Sequence, residues 1–171
     1  MALIVEDGTG LSDAESFLSV ADADSYFSKH GEPSAWTAAT TAAKEAALRL
    51  ATQYLCTVYH QRWKSVRTYE EQALDWPRAW MDDDDGYSID SDELPQRLKD
   101  ATAEMSLRSL SATLLPDVDN PGAIKRERVK VGPIEDEVEY TSGGKSQLIR
   151  YRLVDLLLAP YIQPSSRLER A

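Results

Sequence analysis

Residues 40–60 read TTAAKEAALRLATQYLCTVYH. Ala43, Ala47, Leu50, Tyr54 and Val58 recur at three- and four-residue steps, the spacing of one helical face. Lys44, Glu45, Arg49 and Gln53 fall on other faces. The many alanines favour helix and let a neighbouring helix approach closely. The stretch predicts a long helix that starts at Thr37 or Thr40 and ends near His60. A helix of this kind needs partners, and the flanking sequence supplies them.

Toward the N-terminus, Ser19 followed by Asp22 has the pattern of a helix start, with a side-chain oxygen for a free backbone N–H and an acid for the positive helix end. A short helix is predicted over about residues 20–30, with Gly31 as its stop. Residues 1–18 begin apolar and pass through Gly8 and Gly10, which reads as an extended N-terminal arm.

Toward the C-terminus, Thr68 and Glu71 form a capping-box pattern that predicts a brief helix before Pro77. Residues 81–92 are acidic and read as a loop. Leu94-Pro95 opens a second long helix, predicted to reach Leu115 and stop before Pro116. This helix carries two apolar stripes. One is Leu94, Leu98, Ala101 and Met105; the other is Ala103, Leu107, Leu110 and Leu114. A helix apolar on two sides is central to a bundle or buried against a partner.

After Asn120-Pro121-Gly122 the period changes. Val129 and Val131 alternate with Arg128 and Lys130, and Val138 and Tyr140 alternate with Glu137 and Glu139. That predicts a β-hairpin over about residues 123–141, turning at Gly132-Pro133. One strand is basic and the other acidic, a pattern that favours pairing. A last helix is predicted over about residues 148–159, ending at Pro160, and residues 163–171 form a polar tail. The fold class expected is therefore mainly α: a small helical bundle over residues 19–162, with an added β-hairpin and extended terminal arms.

The chain has 171 residues, enough to bury a core without disulfides or metal. It carries 19 Lys and Arg against 29 Asp and Glu, a net charge of -10, which opposes polyanion binding. The single cysteine, Cys56, reads as a small buried hydrophobe. His30 and His60 lie in no recognisable thiol-enzyme motif. No segment approaches the ~20 apolar residues that span a bilayer. The start turns acidic at Glu6 without a basic leader, so the expectation is a protein that stays in the cytosol that made it, or in a particle assembled there.

Two motifs invite a ligand and fit poorly. Asp82-Asp83-Asp84-Asp85-Gly86 suggests a calcium loop, but with Gly86 in the sixth place the first is Met81 and the last Asp92. A solvated acidic loop is the better reading, with a weak divalent-ion site as the alternative. Gly143-Gly144-Lys145-Ser146 ends like a phosphate loop, yet Glu139 stands where the first glycine belongs. No cofactor and no catalytic set is expected. Trp36, Trp63, Trp76 and Trp80 could stack single-stranded bases if a basic groove lay beside them. Glu70, Glu71, Asp75 and Asp82 to Asp85 crowd that stretch instead, which favours core or interface anchoring.

The stretch Ala73-Leu74-Asp75-Trp76-Pro77-Arg78 resembles a phage family, the DnaT-like single-stranded-DNA-binding proteins, which is itself similar to the head-to-tail adaptors of tailed phages. Ser16-Phe17-Leu18-Ser19-Val20-Ala21-Asp22-Ala23-Asp24-Ser25-Tyr26, the alanine-rich helix through Trp63, Leu94-Pro95, and Val154-Asp155-Leu156-Leu157 extend the resemblance over about residues 16–162. The resemblance implies a structural virion protein without enzyme activity, a ring of about twelve identical subunits. Its implied partners are the portal protein and a tail-side connector or tail-terminator protein, with double-stranded DNA passing through the lumen unbound. A rival implication is a replication accessory that binds single-stranded DNA. Trp63, Trp76, Pro77 and Arg78 are then expected as structural anchors. In the polar tail, Arg167, Leu168 and Arg170 make a candidate portal-docking set.

Overall fold

The computed structural model describes residues 2–116, 124–130, 135–140 and 151–163. These fall into two compact units. One holds the described residues up to Leu114 and from Tyr151 onward; the other holds those between.

The first unit opens its helical part with α1, Val20–Lys29. The Ser19 hydroxyl accepts the Asp22 N–H at 3.0 Å, so the predicted cap is present. A one-turn helix not anticipated from sequence, α2, covers Ser34–Thr37 and follows Pro33. The long helix α3 is Thr41–Val58. Of its two candidate starts, Thr40 is the cap, its hydroxyl accepting the Ala43 N–H at 3.3 Å. Asp24 joins the three helices, accepting the Trp36 indole N–H at 2.7 Å and the Lys44 ammonium at 2.8 Å.

The buried face of α3 runs through Ala47, Leu48, Ala51, Thr52, Tyr54 and Leu55. The stripe expected through Leu50 is corrected, since Leu50 is 50% exposed. The inward face is rotated toward Leu48 and Leu55 because α4, Gln96–Ser109, packs on that side. The second long helix therefore ends at Ser109, short of the expected Leu115. Its first apolar stripe enters one cluster and most of the second enters another, while Leu114 of the second stripe, beyond the helix end, joins the first cluster. Leu98, Ala101 and Met105 join Tyr54, Leu55 and Trp76; Ala103 joins Phe27, Trp36 and Leu48, with Leu107 and Leu110 packed beside them. Each fully buried large side chain contributes roughly 1.5–3 kcal/mol.

α5, Arg152–Leu158, continues into a 3-10 turn at Ala159–Tyr161 that contains Pro160. Its Val154 and Leu158 are buried against the first cluster. Residues 148–150, where this helix was expected to begin, lie outside the described residues.

The expected extended arm is folded back on itself, with backbone bonds joining residues 4–6 to residues 15 and 16. The Glu6 carboxylate is buried and accepts the N–H groups of Gly8, Gly10 and Leu11 at 2.8–2.9 Å, which curls the chain into a closed loop. Phe17 and Leu18 are buried at its end. Gly8 has φ +104°, and a Cβ there would lie 1.8 Å from the Asp92 carbonyl oxygen, so only glycine fits this close approach.

The connection between α3 and α4 is not the brief helix and loop predicted. It holds two small antiparallel ladders, β1 (Val66–Arg67) with β2 (Arg78–Ala79), and β3 (Met81–Asp82) with β4 (Ser88–Ile89). Thr68 caps no helix, because its hydroxyl donates to the Ser91 carbonyl at 2.8 Å. The buried Gln72 side chain replaces helical hydrogen bonding: its oxygen accepts the Tyr69 N–H at 2.9 Å, and its nitrogen donates to the Leu74 and Pro77 carbonyls.

The second unit contains the hairpin of β5, Ile124–Lys130, and β6, Glu135–Tyr140. Its register sets Arg126 opposite Glu139, Arg128 opposite Glu137 and Lys130 opposite Glu135, with an irregularity between Ile124 and Arg126. The turn at Gly132-Pro133 lies outside the described residues. The whole is a helix-rich mixed fold rather than a plain bundle, since three two-stranded ladders accompany the helices among the described residues.

Candidate functional site

The expected anchors meet at the end of α3. Trp63 and Trp76 are 3% and 0% exposed, and their rings meet edge to face with centroids 5.7 Å apart. Tyr161 closes the other side of Trp76 at 5.6 Å. Asp75, itself buried, accepts the Trp63 indole N–H at 3.0 Å and faces His60 Nδ1 at 2.8 Å. The Trp76–Pro77 peptide bond is cis.

Arg78 is buried and donates to three carbonyls: Lys64 at 2.9 Å, Asp75 at 2.9 Å and Ser65 at 2.6 Å. Burial lowers its pKa, and the Asp75 charge opposes that shift. A guanidinium satisfied by three carbonyls of the α3–α4 connection pins that connection in place. Trp63, Asp75, Trp76 and Arg78 therefore form the frame of this region.

Trp80 lies just outside the frame. Trp36, Trp63 and Trp76 are core residues, but Trp80 is 84% exposed. Its φ is +55°, a left-handed backbone that a bulky residue adopts at a cost. Ser65, across the β1–β2 ladder, is also left-handed at φ +65°, and its hydroxyl donates to the Ala79 carbonyl. The β1–β2 ladder thus fixes the backbone before Trp80 and the β3–β4 ladder the backbone after it. Tyr87, at the turn of the second ladder, is 74% exposed. Position along the sequence could not separate Trp80 from the buried tryptophans; its neighbours Ala79 and Met81 are apolar too.

The acidic run Asp82 to Asp85 forms the outer part of this hairpin. The Asp83 carboxylate accepts the N–H groups of Asp85 and Tyr87, at 2.9 and 2.8 Å, and Asp84 pairs with Lys64 at 3.1 Å. The carboxylates of Asp83 and Asp84 are thus engaged with backbone and lysine, and among the described residues no group of three or more His, Cys, Asp or Glu is placed to hold a metal ion. Cys56 packs against the first cluster, and burial pushes its thiol up to about 12, which leaves it protonated at neutral pH. The glycine-rich run Gly143 to Ser146 and the tail residues Arg167, Leu168 and Arg170 lie outside the described residues.

The arrangement combines a buried frame, two projecting aromatic side chains and an acidic surround. A family model described as "Putative DnaT-like ssDNA binding protein" matches residues 1–171. The chain belongs to that family. Comparison with curated proteins and with solved structures gives no match. In this DnaT-like chain no described helix is long and apolar enough to cross a membrane. Three of its four tryptophans are closed to bases by burial, and the fourth, Trp80, is followed after Met81 by four aspartates at positions 82–85.

Proposed function

We propose that this DnaT-like protein is a structural assembly subunit of a phage particle: a head-to-tail adaptor, without enzyme activity, that forms a ring between portal and tail. The observation that carries this reading is Trp80. An indole held 84% exposed in left-handed backbone gains little from the fold of its own chain. Tryptophan is the residue type most often found as a central anchor of protein interfaces, where its burial is recovered on association. Leu153 and Leu156 on α5, 45% and 59% exposed, add apolar surface of the same kind.

The partners in this reading are further copies of the chain, the portal protein and a tail-side connector or terminator. A net charge of -10 suits a channel through which DNA slides without sticking. The tail residues Arg167, Leu168 and Arg170 would dock on portal. The test is electron microscopy and co-sedimentation of the full chain with portal, with and without residues 165–171. Rings on portal that weaken on truncation are the expected result; a monomer that ignores portal would overturn the reading.

A second reading, single-stranded-DNA binding in replication, is favoured by the family description and by two exposed aromatic side chains suited to stacking. The aspartates beside them repel phosphate. Filter binding of labelled single strands at about 0.15 M salt separates the two, because non-specific binders depend on phosphate neutralisation. Submicromolar, steeply salt-dependent affinity would favour this second reading.

A further inference from the structure

A cavity of about 510 Å³ lies between the segment that follows α3 and residues 159–163, lined by Arg62, Lys64, Asp84, Asp155, Ile162 and Gln163 among others. Its walls are backbone-locked. The Lys64 N–H donates to the Tyr161 carbonyl at 2.9 Å, the Gln163 N–H donates to the Arg62 carbonyl at 2.6 Å, and Trp63 bridges Ile162 antiparallel between them.

Arg62 is held at this wall beside Tyr59 and Asp155. Its Nε is buried and has no hydrogen-bond partner among the described residues. The guanidinium lies 5.2 Å from the Tyr59 ring centre and 3.8 Å from the Asp155 carboxylate. Asp155 is itself committed to the Tyr59 hydroxyl at 2.6 Å. A buried donor left unmade is costly, and a guanidinium edge is shaped to accept two oxygens of one oxyanion. Lys64, the second cation, is anchored by the Pro160 carbonyl at 2.6 Å and carries Asp84 as its anion at 3.1 Å. Asp84 belongs to the outer part of the β3–β4 hairpin and its side chain is 61% exposed, so little holds it on Lys64.

We propose that this cavity is a binding site for one carboxylate group, which Arg62 receives through its Nε edge while displacing Asp84 from Lys64. Charge sets the class. With Asp84 swung out, Arg62 and Lys64 face Asp155 alone, a surplus of one positive charge. A monoanionic carboxylate matches that surplus. A phosphate dianion would overcompensate that surplus and leave one negative charge uncancelled beside Asp155. All the groups lie in one chain, so the site does not depend on ring assembly.

The test follows the Arg62 Nε–H resonance by NMR in the full chain, titrated at constant ionic strength with sodium acetate, sodium phosphate and a hexaglutamate peptide. Acetate should shift it saturably and phosphate more weakly. Asp84→Asn should tighten acetate binding by about threefold, the scale of one exposed ion pair. Arg62→Gln should weaken hexaglutamate binding by about tenfold or more, with the helical circular dichroism unchanged. Tighter binding of hexaglutamate than of acetate, per carboxylate, identifies a peptide-borne ligand; equal binding identifies a small free one. An absent or unsaturable acetate shift, phosphate binding at least as tight as acetate, or no effect of Asp84→Asn would overturn the proposal.

Discussion

Asp75 Oδ2 accepts the indole N–H of Trp63 at 3.0 Å across twelve residues of chain, and both side chains are buried. This one bond ties the end of α3 to the turn that carries Trp76, Pro77 and Arg78. Asp75→Ala leaves a buried indole N–H unsatisfied and should cost about 1–3 kcal/mol. Asp75→Asn keeps an acceptor for Trp63 and a polar amide beside His60 Nδ1, and should cost less than about 1 kcal/mol. Urea unfolding of the two variants checks the order; equal losses would mean that the bond itself contributes little.

Trp76 sits between Trp63 and Tyr161 with no exposed surface. Trp76→Ala should cost about 3–5 kcal/mol by removing that contact surface and leaving a cavity. The melting temperature of the isolated protein should fall accordingly. An unchanged melting temperature with lost assembly would move Trp76 from frame to interface.

Trp80 should behave in the opposite way. Asparagine tolerates left-handed backbone better than tryptophan does, so Trp80→Asn should leave stability equal or raise it by about 1 kcal/mol. Association with copies of the chain or with portal should be lost. Denaturant midpoints and co-sedimentation, measured on the same preparation, check the pair of outcomes. A destabilised variant would show that the indole supports its own fold.

Stability toward acid should depend in part on Asp24. Burial raises its carboxyl, but hydrogen bonds from Lys44 and Trp36, with the Lys44 charge, outweigh that and hold it below its ordinary 3.8. A carboxyl depressed in the folded state stabilises the fold above its unfolded value, and that contribution is lost as pH falls through the folded value. Asp24→Asn should therefore lower stability at about pH 6 and narrow the gap between about pH 6 and about pH 3. Urea midpoints at the two pH values measure it; an unchanged gap would show that Asp24 does not contribute.

Much of the local structure was legible in the sequence because local rules govern it. Ser19 caps α1 and Thr40 caps α3, since a side-chain oxygen three residues from a free N–H needs no distant partner. Leu98, Ala101 and Met105 of α4 enter one cluster and Ala103 the other, as the two stripes suggest, although Leu114 of the second stripe joins the first cluster. The register of β5 and β6 sets basic positions opposite acidic ones, as the charge pattern of the strands suggests.

Other features were decided only by the tertiary structure. Thr68 and Glu71 have a helix-start pattern, yet the buried Gln72 side chain takes over the backbone groups a helix would have used. Leu50 matches the apolar period of α3 but faces outward, because the position of α4 determines which part of an alanine-rich surface is covered. Trp76 and Trp80 are four residues apart and chemically identical, yet one is 0% and the other 84% exposed. The Arg62 cavity exists because residues 161–163 pair with residues 62–64 across about a hundred positions of chain, and residue-to-residue spacing carries no signal of that closure. Local patterns report which backbone groups can be satisfied nearby; exposure and convergence depend on where distant segments pack, and that is a property of the whole chain.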